Sequence, residues 1–292
     1  MRMEIDSIIH LYKGADMNNL LVFQSDFGLV DGAVSAMEGV SYGVSEKLNI
    51  RHLTHEIPQF NIFEASYRLF QAINYWPKGT VFVSIVDPGV GSDRKSVVGK
   101  TKNGYYIVTP DNGTLTHVGK FLGFEEIREI DESINRLKNS EQSYTFHGRD
   151  VYAYTGARLS SGVITFEEVG PVVNNYVELP LFGSRKIENG IEGQIEILDV
   201  RFGSLWTSID IEDFKSCGFS FNDKVLVEIY NNDKKVYSGS MLYGKSFADV
   251  SVNEPLVYMC STNHMAVAIN QNSFARVYGI STGTGWTIQI TK

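Results

Sequence analysis

The sequence predicts an α/β N-terminal domain with a largely parallel sheet, followed by a smaller all-β, barrel-like C-terminal domain. Up to Pro171, apolar strand-like runs alternate with segments of helical period, which is typical of β-α-β units. After Pro171 the pattern changes to short strands separated by turn residues, without a long helical period. A length of 292 residues also exceeds what one core usually serves, so two domains are expected.

The N-terminal domain is predicted over residues 17–180. Its first strand is a short apolar run that ends in the polar turn Ser25-Asp26-Phe27-Gly28, and Asp31 is the predicted N-cap of the helix that follows. The predicted elements, in chain order, are a strand at 20–23, a helix at 31–44, a strand at 49–54, a helix at 62–76, strands at 80–86, 96–99, 105–109 and 126–130, a polar loop at 131–144, and a helix at 151–159.

The C-terminal domain is predicted over residues 191–292, after a linker at 181–190 that contains Gly183 and Gly190. Residues 1–16 are interpreted as a leader or disordered tail, because Met17 immediately precedes the first strand and fits as a native start as well as Met1 does. Short strands of the C-terminal domain are predicted at 193–200, 205–209, 224–229, 235–242, 256–259, 265–269, 275–278 and 286–290.

Composition argues against several classes of function. A net charge of −8 and a pI of about 5.3 argue against a nucleic acid or an anionic membrane as partner, since either would require a basic face. Two cysteines, Cys217 and Cys260, without a C-x-x-C pair indicate a reduced, cytoplasmic setting and no structural zinc. No apolar run reaches the roughly 18 residues that a membrane span needs.

Four polar turns at predicted strand ends carry the candidate chemistry. Asp87-Pro88-Gly89-Val90-Gly91-Ser92-Asp93-Arg94 follows the buried run at 80–86, and ligands of open α/β sheets bind at that edge. By itself Asp-Pro-Gly is a common structural turn. The other three turns are Ser25-Asp26, Asp111-Asn112 and His147-Gly148-Arg149-Asp150, which together favour a functional site.

The histidines differ in their predicted roles. His147 is expected at an open turn, Asp150 is predicted to cap the helix that follows, and three other histidines are interpreted as structural: His52, His55 and His117. A carboxylate and imidazole metal site is an alternative without support from local spacing. Its members would be Asp26, His55, Asp87, His147 and Asp150.

At these motifs the chain resembles the S-adenosylmethionine hydroxide adenosyltransferase family, related to the fluorinases and chlorinases. The resemblance extends from Leu20 to about Ala275, and the specificity comes from four motifs in order. They are Ser25-Asp26-Phe27-Gly28, Asp87-Pro88-Gly89-Val90-Gly91 with Arg94, Pro110-Asp111-Asn112-Gly113, and Phe146-His147-Gly148-Arg149-Asp150, with a weaker echo in Phe202-Gly203-Ser204-Leu205-Trp206.

The resemblance implies hydrolysis of S-adenosylmethionine to adenosine and methionine by water or hydroxide attacking the ribose 5′ carbon. It implies no cofactor or metal, and a homotrimer with active sites between the N-domain of one subunit and the C-domain of the next. The catalytic positions fall on Asp87, Arg94 and His147, and the ribose-binding acid falls on Asp26. The other implied substrate-binding residues are Asp31, Phe60, Asn112, Gly148, Asp199, Phe202, Ser204, Trp206, Phe247, Ser261 and Asn270.

Departures from the halogenating relatives favour water as the nucleophile. Gly148 stands where those relatives typically have serine, and the short segment at 99–105 leaves no room for the inserted loop of the fluorinases. Ser204 replaces a frequent asparagine that faces the adenine, and Thr262 replaces an arginine of some relatives. Three alternatives stay open: a non-catalytic binder of S-adenosylmethionine or adenosine, a metal-dependent hydrolase, and a halogenase.

Overall fold

The computed structural model describes residues 18–283 and 285–292. The chain divides between Leu179 and Pro180 into two compact units, each of which is described by itself. The predicted leader or tail at 1–16 lies outside the described residues. The range predicted as a linker, 181–190, carries the short strand Arg185–Ile187 of the second unit. None of the helices in the described residues is long and apolar enough to cross a membrane.

The first unit alternates strands and helices, as predicted. Its elements are β1 (Leu20–Ser25), α1 (Ala33–Val44), β2 (Asn49–Thr54), α2 (Ile62–Ile73), β3 (Val81–Ile85), β4 (Ser96–Thr101), β5 (Tyr106–Pro110), α3 (Thr116–Phe121), β6 (Phe124–Glu129), a π-helix (Gly148–Ala153), α4 (Tyr154–Ser160) and a 3₁₀ turn (Glu167–Val169).

The sheet of this unit has the strand order β2-β1-β3-β5-β4-β6. β1 pairs in parallel with β2 and β3, and β3 pairs in parallel with β5, while β4 is antiparallel to β5 and β6. The predicted, largely parallel sheet is therefore confirmed. The chain passes from β1 to β2 on one side and then to β3 on the other, so the winding reverses between β1 and β3. Ligands of open α/β sheets bind in the crevice at this reversal.

Helices cover both faces of the sheet, which explains the uninterrupted apolar run of β3, in which every residue is buried. Side chains of a strand point to alternate faces. Leu21 accordingly packs in one cluster with Met37 of α1, and Val22 packs in another with Leu69 of α2. Buried on both faces, β1 and β3 are rigid supports for the turns that follow them.

Two predicted helix caps are wrong. Helix α1 starts after Gly32, so Asp31 lies one residue too early, although its Oδ1 accepts the N–H of Ala33 at 2.9 Å. Asp150 lies inside the π-helix, fully buried, and its carboxylate accepts the Nε–H of Arg149 at 2.7 Å. That ion pair explains how a buried carboxylate is tolerated within a helix.

The second unit is built almost entirely from strands. Its elements are β7 (Arg185–Ile187), β8 (Gly190–Leu198), β9 (Leu205–Asp210), α5 (Ile211–Ser216), β10 (Lys224–Asn231), β11 (Lys234–Tyr243), a 3₁₀ turn (Phe247–Asp249), β12 (Pro255–Met259), β13 (His264–Ile269), α6 (Phe274–Tyr278) and β14 (Trp286–Thr291).

Seven of these strands close into a barrel, which confirms the predicted architecture. The order is β14-β10-β11-β12-β13-β9-β8, and pairing between β14 and β8 completes the circle. Neighbours are antiparallel except for β11 and β12, and β7 adds to the outside of β8. Closure removes the free edges that an open sheet would expose.

The strand predicted at 275–278 is wrong, because this segment forms helix α6. Ser273 caps the helix by accepting the N–H of Arg276 at 3.2 Å, and Gly279 ends it with a φ of 64°. Phe274 anchors the helix in the barrel core against the ring of Tyr237. The serine and glycine that bracket α6 were the helix signals in the sequence.

Candidate active site

The turn after β1 presents Asp26 at the crevice between β1 and β3. Gly28 adopts a φ of 66°, a left-handed conformation that favours glycine, and its N–H donates to the carbonyl of His55 at 2.8 Å. Asp26 Oδ2 accepts the N–H of Phe60 at 2.9 Å. The other carboxylate oxygen remains a candidate acceptor for a ligand hydroxyl.

A chain of hydrogen bonds supports this turn from behind. Ser25 Oγ lies 2.7 Å from Nδ1 of His55, and Nε2 of His55 lies 2.7 Å from Nδ1 of His52. Nε2 of His52 is 2.8 Å from Oε1 of Glu38 on α1. Burial and the neighbouring His52 lower the pKa of His55 to about 4. Both histidines therefore have the structural role that was predicted for them.

We expect this histidine pair to make folding stability fall in mild acid. His55 is neutral in the folded protein down to about pH 4, whereas the unfolded chain takes up the proton near pH 6.5. The stabilisation is complete above pH 6.5 and is lost as pH falls through 4, for a total of roughly 3 kcal/mol. Urea unfolding between pH 7 and pH 4 measures it. A His55→Asn variant should show a flatter decline over that range, and parallel curves for both proteins would contradict the assignment.

Asp87 and Arg94 form a two-pronged ion pair just beyond β3. Arg94 Nε donates to Asp87 Oδ1 at 2.7 Å, and Nη2 donates to Oδ2. The two side chains are only 7% and 10% exposed, respectively. Burial by itself would lower the pKa of Arg94, but the hydrogen bond and charge of Asp87 raise it. Arg94 is therefore a permanent, oriented cation.

His147 joins this pair from the start of the π-helix. Arg94 Nη2 lies 3.0 Å from Nδ1 of His147, so Nδ1 is the acceptor and the imidazole proton sits on Nε2. Burial lowers the pKa of His147, and so do Arg94 and Arg136, while Glu132 and Asp87 oppose them. The imidazole is therefore neutral at pH 7.

Tyr152, on the next turn of the same helix, completes the support of Asp87. Its hydroxyl lies 3.4 Å from Oδ2 of Asp87 and 3.3 Å from Oγ of Ser96, and the guanidinium of Arg94 stacks 5.5 Å from its ring centroid. Burial, followed by the charge of Asp87, raises the pKa of Tyr152, so its phenol is a hydrogen-bond donor. Tyr152 was not among the predicted site residues, since a tyrosine within an apolar helix gives no signal of its own.

A cleft of about 290 Å³ opens over these groups and brings together six of the predicted residues, Asp26, Asp31, Phe60, Asp87, His147 and Gly148. Arg94 contacts the cleft through its bonds to Asp87 and His147. The remaining lining residues are Phe27, Ala33, Gln59, Ile85, Val90, Thr145 and Phe146. Carboxylates at the ends of neighbouring strands, beside a fixed cation and a neutral imidazole, suit a polar ligand with a reacting water.

Asn112 is outside the lining of this cleft and holds two turns together instead. Its Nδ2 donates to the carbonyl of Val86 at 2.8 Å, and its Oδ1 accepts the hydroxyl of Thr114 at 2.9 Å. The amide thus fixes the backbone immediately before Asp87. A substrate contact was predicted for Asn112, whereas the hydrogen bonds of its side chain support the turn.

The second unit has its own cleft, of about 570 Å³, at the turn between β8 and β9. Four predicted substrate residues line it, namely Phe202, Ser204, Phe247 and Asn270. Asp199 organises the turn, because its Oδ1 accepts the backbone N–H groups of Arg201 and Phe202. The other lining residues are Arg201, Ile269, Gln271, Asn272, Ser273 and Arg276.

Three predicted residues of the second unit lie outside that lining: Asp199, which organises the turn, Trp206 and Ser261. Trp206 is buried on β9, and Ser261 is exposed in the turn between β12 and β13. Burial raises the pKa of Tyr258, while its interactions with Ser204 and Trp206 oppose this shift and link the cleft to the barrel wall. Arg201 and Arg276 were missed as cleft residues, the second because its segment was assigned to a strand.

The five residues of the metal alternative do not gather at one point. His55 points to Ser25 and His52, and Asp150 pairs with Arg149. Within residues 18–283 and 285–292, no group of three or more histidine, cysteine or acidic side chains is placed to hold a metal ion.

Known proteins match both units. The profile of the SAM hydroxide adenosyltransferase N-terminal domain matches residues 21–170, and that of the C-terminal domain matches residues 193–287. The "(R)-S-adenosyl-L-methionine hydrolase" of Methanocaldococcus jannaschii is 37% identical over 223 residues, which are 75% of this chain and 76% of the relative. The protein of the same name from Salinispora tropica is 30% identical over 264 residues, 89% of this chain and 94% of the relative.

A fluorinase and a solved structure extend the comparison. The fluorinase of Actinopolyspora mzabensis is 23% identical over 299 residues, which are 94% of this chain and 97% of the relative. The crystal structure of an uncharacterized conserved protein from Thermotoga maritima has a TM-score of 0.86 at 33% identity, covering 93% of this chain and 100% of that chain. The resemblance drawn from the four motifs is confirmed: the chain belongs to the SAM hydroxide adenosyltransferase family.

Proposed function

We propose that this protein hydrolyses S-adenosylmethionine to adenosine and methionine, with water or hydroxide attacking the ribose 5′ carbon. The observation that carries the proposal is the contact of Arg94 with both Asp87 and His147 beside a cleft that Asp26 also lines. The names of the relatives from Methanocaldococcus jannaschii and Salinispora tropica support the substrate class and specify the (R) sulfonium form.

This reaction requires the protein to position the water and to stabilise charge. The oxygen of water forms a bond to the 5′ carbon, the bond from that carbon to sulfur breaks, and its electron pair neutralises the sulfonium. The leaving thioether needs no proton, so no acid is required. Arg94 favours hydroxide through its fixed charge, Asp87 orients the water or takes its proton, and the neutral His147 helps to orient the water. Holding the oxygen in line with the breaking bond lowers the remaining part of the activation barrier.

The walls of the cleft support water over halide. Gly148 lines the cleft, and a Cβ built there would lie 3.2 Å from the ring of Phe27 and 3.3 Å from that of Phe146. A serine at this position would have to displace aromatic rings before its hydroxyl could face a halide. The turn at 102–105 between β4 and β5 is also short.

Incubation with each sulfonium epimer of S-adenosylmethionine, followed by chromatography, tests the proposal. Adenosine and methionine should appear in equal amounts, at an unchanged rate with a metal chelator present. Added chloride or fluoride should give no halogenated nucleoside. Saturable binding of S-adenosylmethionine without any adenosine above the level of an Asp87→Ala variant would favour a non-catalytic binder instead.

Replacing Asp26 with asparagine should raise KM about 10- to 100-fold, the loss expected for a charged hydrogen bond to a sugar hydroxyl. The amide can still accept the N–H of Phe60, so the turn is retained. Steady-state kinetics against substrate concentration measures this change. Glu56→Gln, which removes an exposed carboxylate from the neighbouring turn, should leave KM within about twofold. Equal KM values for the two variants would remove Asp26 from substrate binding.

For the assembly we propose a homotrimer with sites shared between subunits, in the cytoplasm and without a cofactor, as the family resemblance implies. Light scattering gives the oligomeric state. Mixing inactive Asp87→Ala and Phe247→Ala proteins after partial unfolding tests the sharing, because mixed trimers regain some sites that contain neither substitution. A failure to regain activity in verified mixed trimers would contradict it.

A further inference from the structure

A second, half-buried ion pair lies on the far side of His147. Arg136 Nη1 donates to Glu132 Oε2 at 2.8 Å and lies 3.5 Å from Nε2 of His147. The side chain of Arg136 is only 7% exposed. Both residues come from the polar segment after β6 that sequence analysis interpreted as a loop, and neither belongs to a motif.

The guanidinium of Arg136 is held by several bonds in addition to its ion pair. Nε donates to Oγ of Ser140 at 3.1 Å, and Nη2 donates to the carbonyls of Ser143 and Ser140 at 2.8 and 3.3 Å. Its carbon Cζ stacks 5.1 Å from the ring centroid of Tyr144. A guanidinium fixed in this way keeps its position, which a flexible surface arginine would not.

His147 is consequently placed between two cations, Arg94 at Nδ1 and Arg136 at Nε2. The network closes through Ser96, whose Oγ accepts from Arg94 Nη1 at 3.2 Å and lies 3.4 Å from Glu132 Oε1. Each arginine has a carboxylate partner of its own. The charged and titratable groups that face His147 are Arg94, Arg136, Asp87, Glu132 and the ring of Tyr144.

The charges around His147 therefore balance only while the imidazole is neutral. A proton on His147 would create a third cation without a carboxylate of its own. It would also repel the sulfonium of the proposed substrate and break the hydrogen bond that Nδ1 accepts from Arg94. Burial of His147 and of both arginine side chains strengthens these effects, since little water screens them.

We propose that Arg136 is a positioning residue for hydrolysis: fixed by Glu132, its charge keeps His147 neutral, and so able to accept from Arg94, from the side opposite Arg94. The role in catalysis rests on the proposed function, whereas the effect on His147 is a property of the folded chain alone. The two are therefore measured separately.

The direction in which each substitution shifts the pKa of His147 follows from the charge that it removes. In Arg136→Met a cation is lost and Glu132 is released from its partner, so the pKa of His147 should rise by about one unit. The acid limb of kcat/KM should move to higher pH by the same amount. Arg136→Lys keeps the charge, so the pKa of His147 and the acid limb of kcat/KM should stay close to the wild-type values. Glu132→Gln removes an anion and should lower the pKa of His147.

Titration of the imidazole C–H signals by NMR, with His147 assigned from a His147→Gln variant, gives the first readout, and pH–rate profiles with S-adenosylmethionine give the second. Arg158→Met is the matched control, because Arg158 holds the same segment through the carbonyl of Ile134 at 2.6 Å and Oδ1 of Asn135 at 2.7 Å. It should lower thermal stability without moving either pH midpoint.

A rise in the pKa of His147 in Arg136→Met but not in Arg136→Lys or Arg158→Met supports the proposal. Should Arg136→Met fail to fold, the downward shift in Glu132→Gln decides the charge effect. An unchanged His147 titration in both Arg136→Met and Glu132→Gln, or an equal shift in the Arg158→Met control, would overturn it. If no variant and no wild-type protein forms adenosine, the proposed function fails while the NMR result on Arg136 still stands.

Discussion

Replacing Asp87 with asparagine is expected to lower kcat about 100- to 1,000-fold, the size of effect seen when a group that stabilises or deprotonates a nucleophile is lost. An amide offers one acceptor oxygen where the carboxylate offers two, so the paired contact to Arg94 is halved. The charge that oriented Arg94 toward His147 is lost as well. Single-turnover measurements at saturating substrate isolate this step from binding.

Asp93 provides the matched control for Asp87. It lies in the same turn, but its side chain is exposed. Asp93→Asn should retain kcat within about twofold, since exposed charges contribute little. Thermal melting of both variants should remain cooperative. Comparable rates for Asp87→Asn and the wild-type protein would exclude Asp87 from the mechanism.

Replacing Arg94 with methionine is expected to have a similar effect on kcat, about 100- to 1,000-fold, because the fixed positive charge that favours hydroxide disappears. It should also lower the free energy of unfolding by about 3 kcal/mol, since Asp87 would be left as a buried charge without its partner. The Arg94→Lys variant distinguishes the effect of the positive charge from that of the guanidinium geometry. A lysine keeps the charge but lacks the planar fork that reaches Asp87 and His147 together, so it should recover activity only partly.

Urea unfolding and steady-state kinetics measure the two effects of Arg94→Met. Lys95→Met is the neighbouring control, because Lys95 is 46% exposed and pairs with Glu129 at the surface. It should change kcat by less than about twofold and stability by less than about 1 kcal/mol. Wild-type turnover in a folded Arg94→Met protein would contradict the assigned role of Arg94.

The sequence was most informative where chemistry and local pattern coincide. Asp87 and Arg94 were identified because a turn of fixed length after a buried strand brings them close. The barrel was predicted from strand and turn signals alone, whereas its closure between β14 and β8 joins distant segments that no local pattern links. Helix α6 was assigned to a strand because its few residues are too short for a helical period to register.

The residues that support His147 from the segment after β6 were not predicted, for a physical reason. Arg136 and Glu132 lie in a segment without periodicity, and their importance comes from tertiary contacts with His147 and Ser96. A polar loop with several charges usually indicates a solvated surface. Burial of Arg136 follows only from the packing of that loop over the start of the π-helix, which sequence patterns do not encode.

The most direct test of the central claim is to follow the oxygen atom. The protein is incubated with S-adenosylmethionine in water labelled with heavy oxygen, with excess chloride present, and the products are analysed by mass spectrometry. We expect adenosine with one labelled oxygen at the 5′ hydroxyl, unlabelled methionine, and no halogenated nucleoside. Unlabelled adenosine, a chlorinated nucleoside, or label carried by the amino-acid product would contradict attack of water on the ribose 5′ carbon.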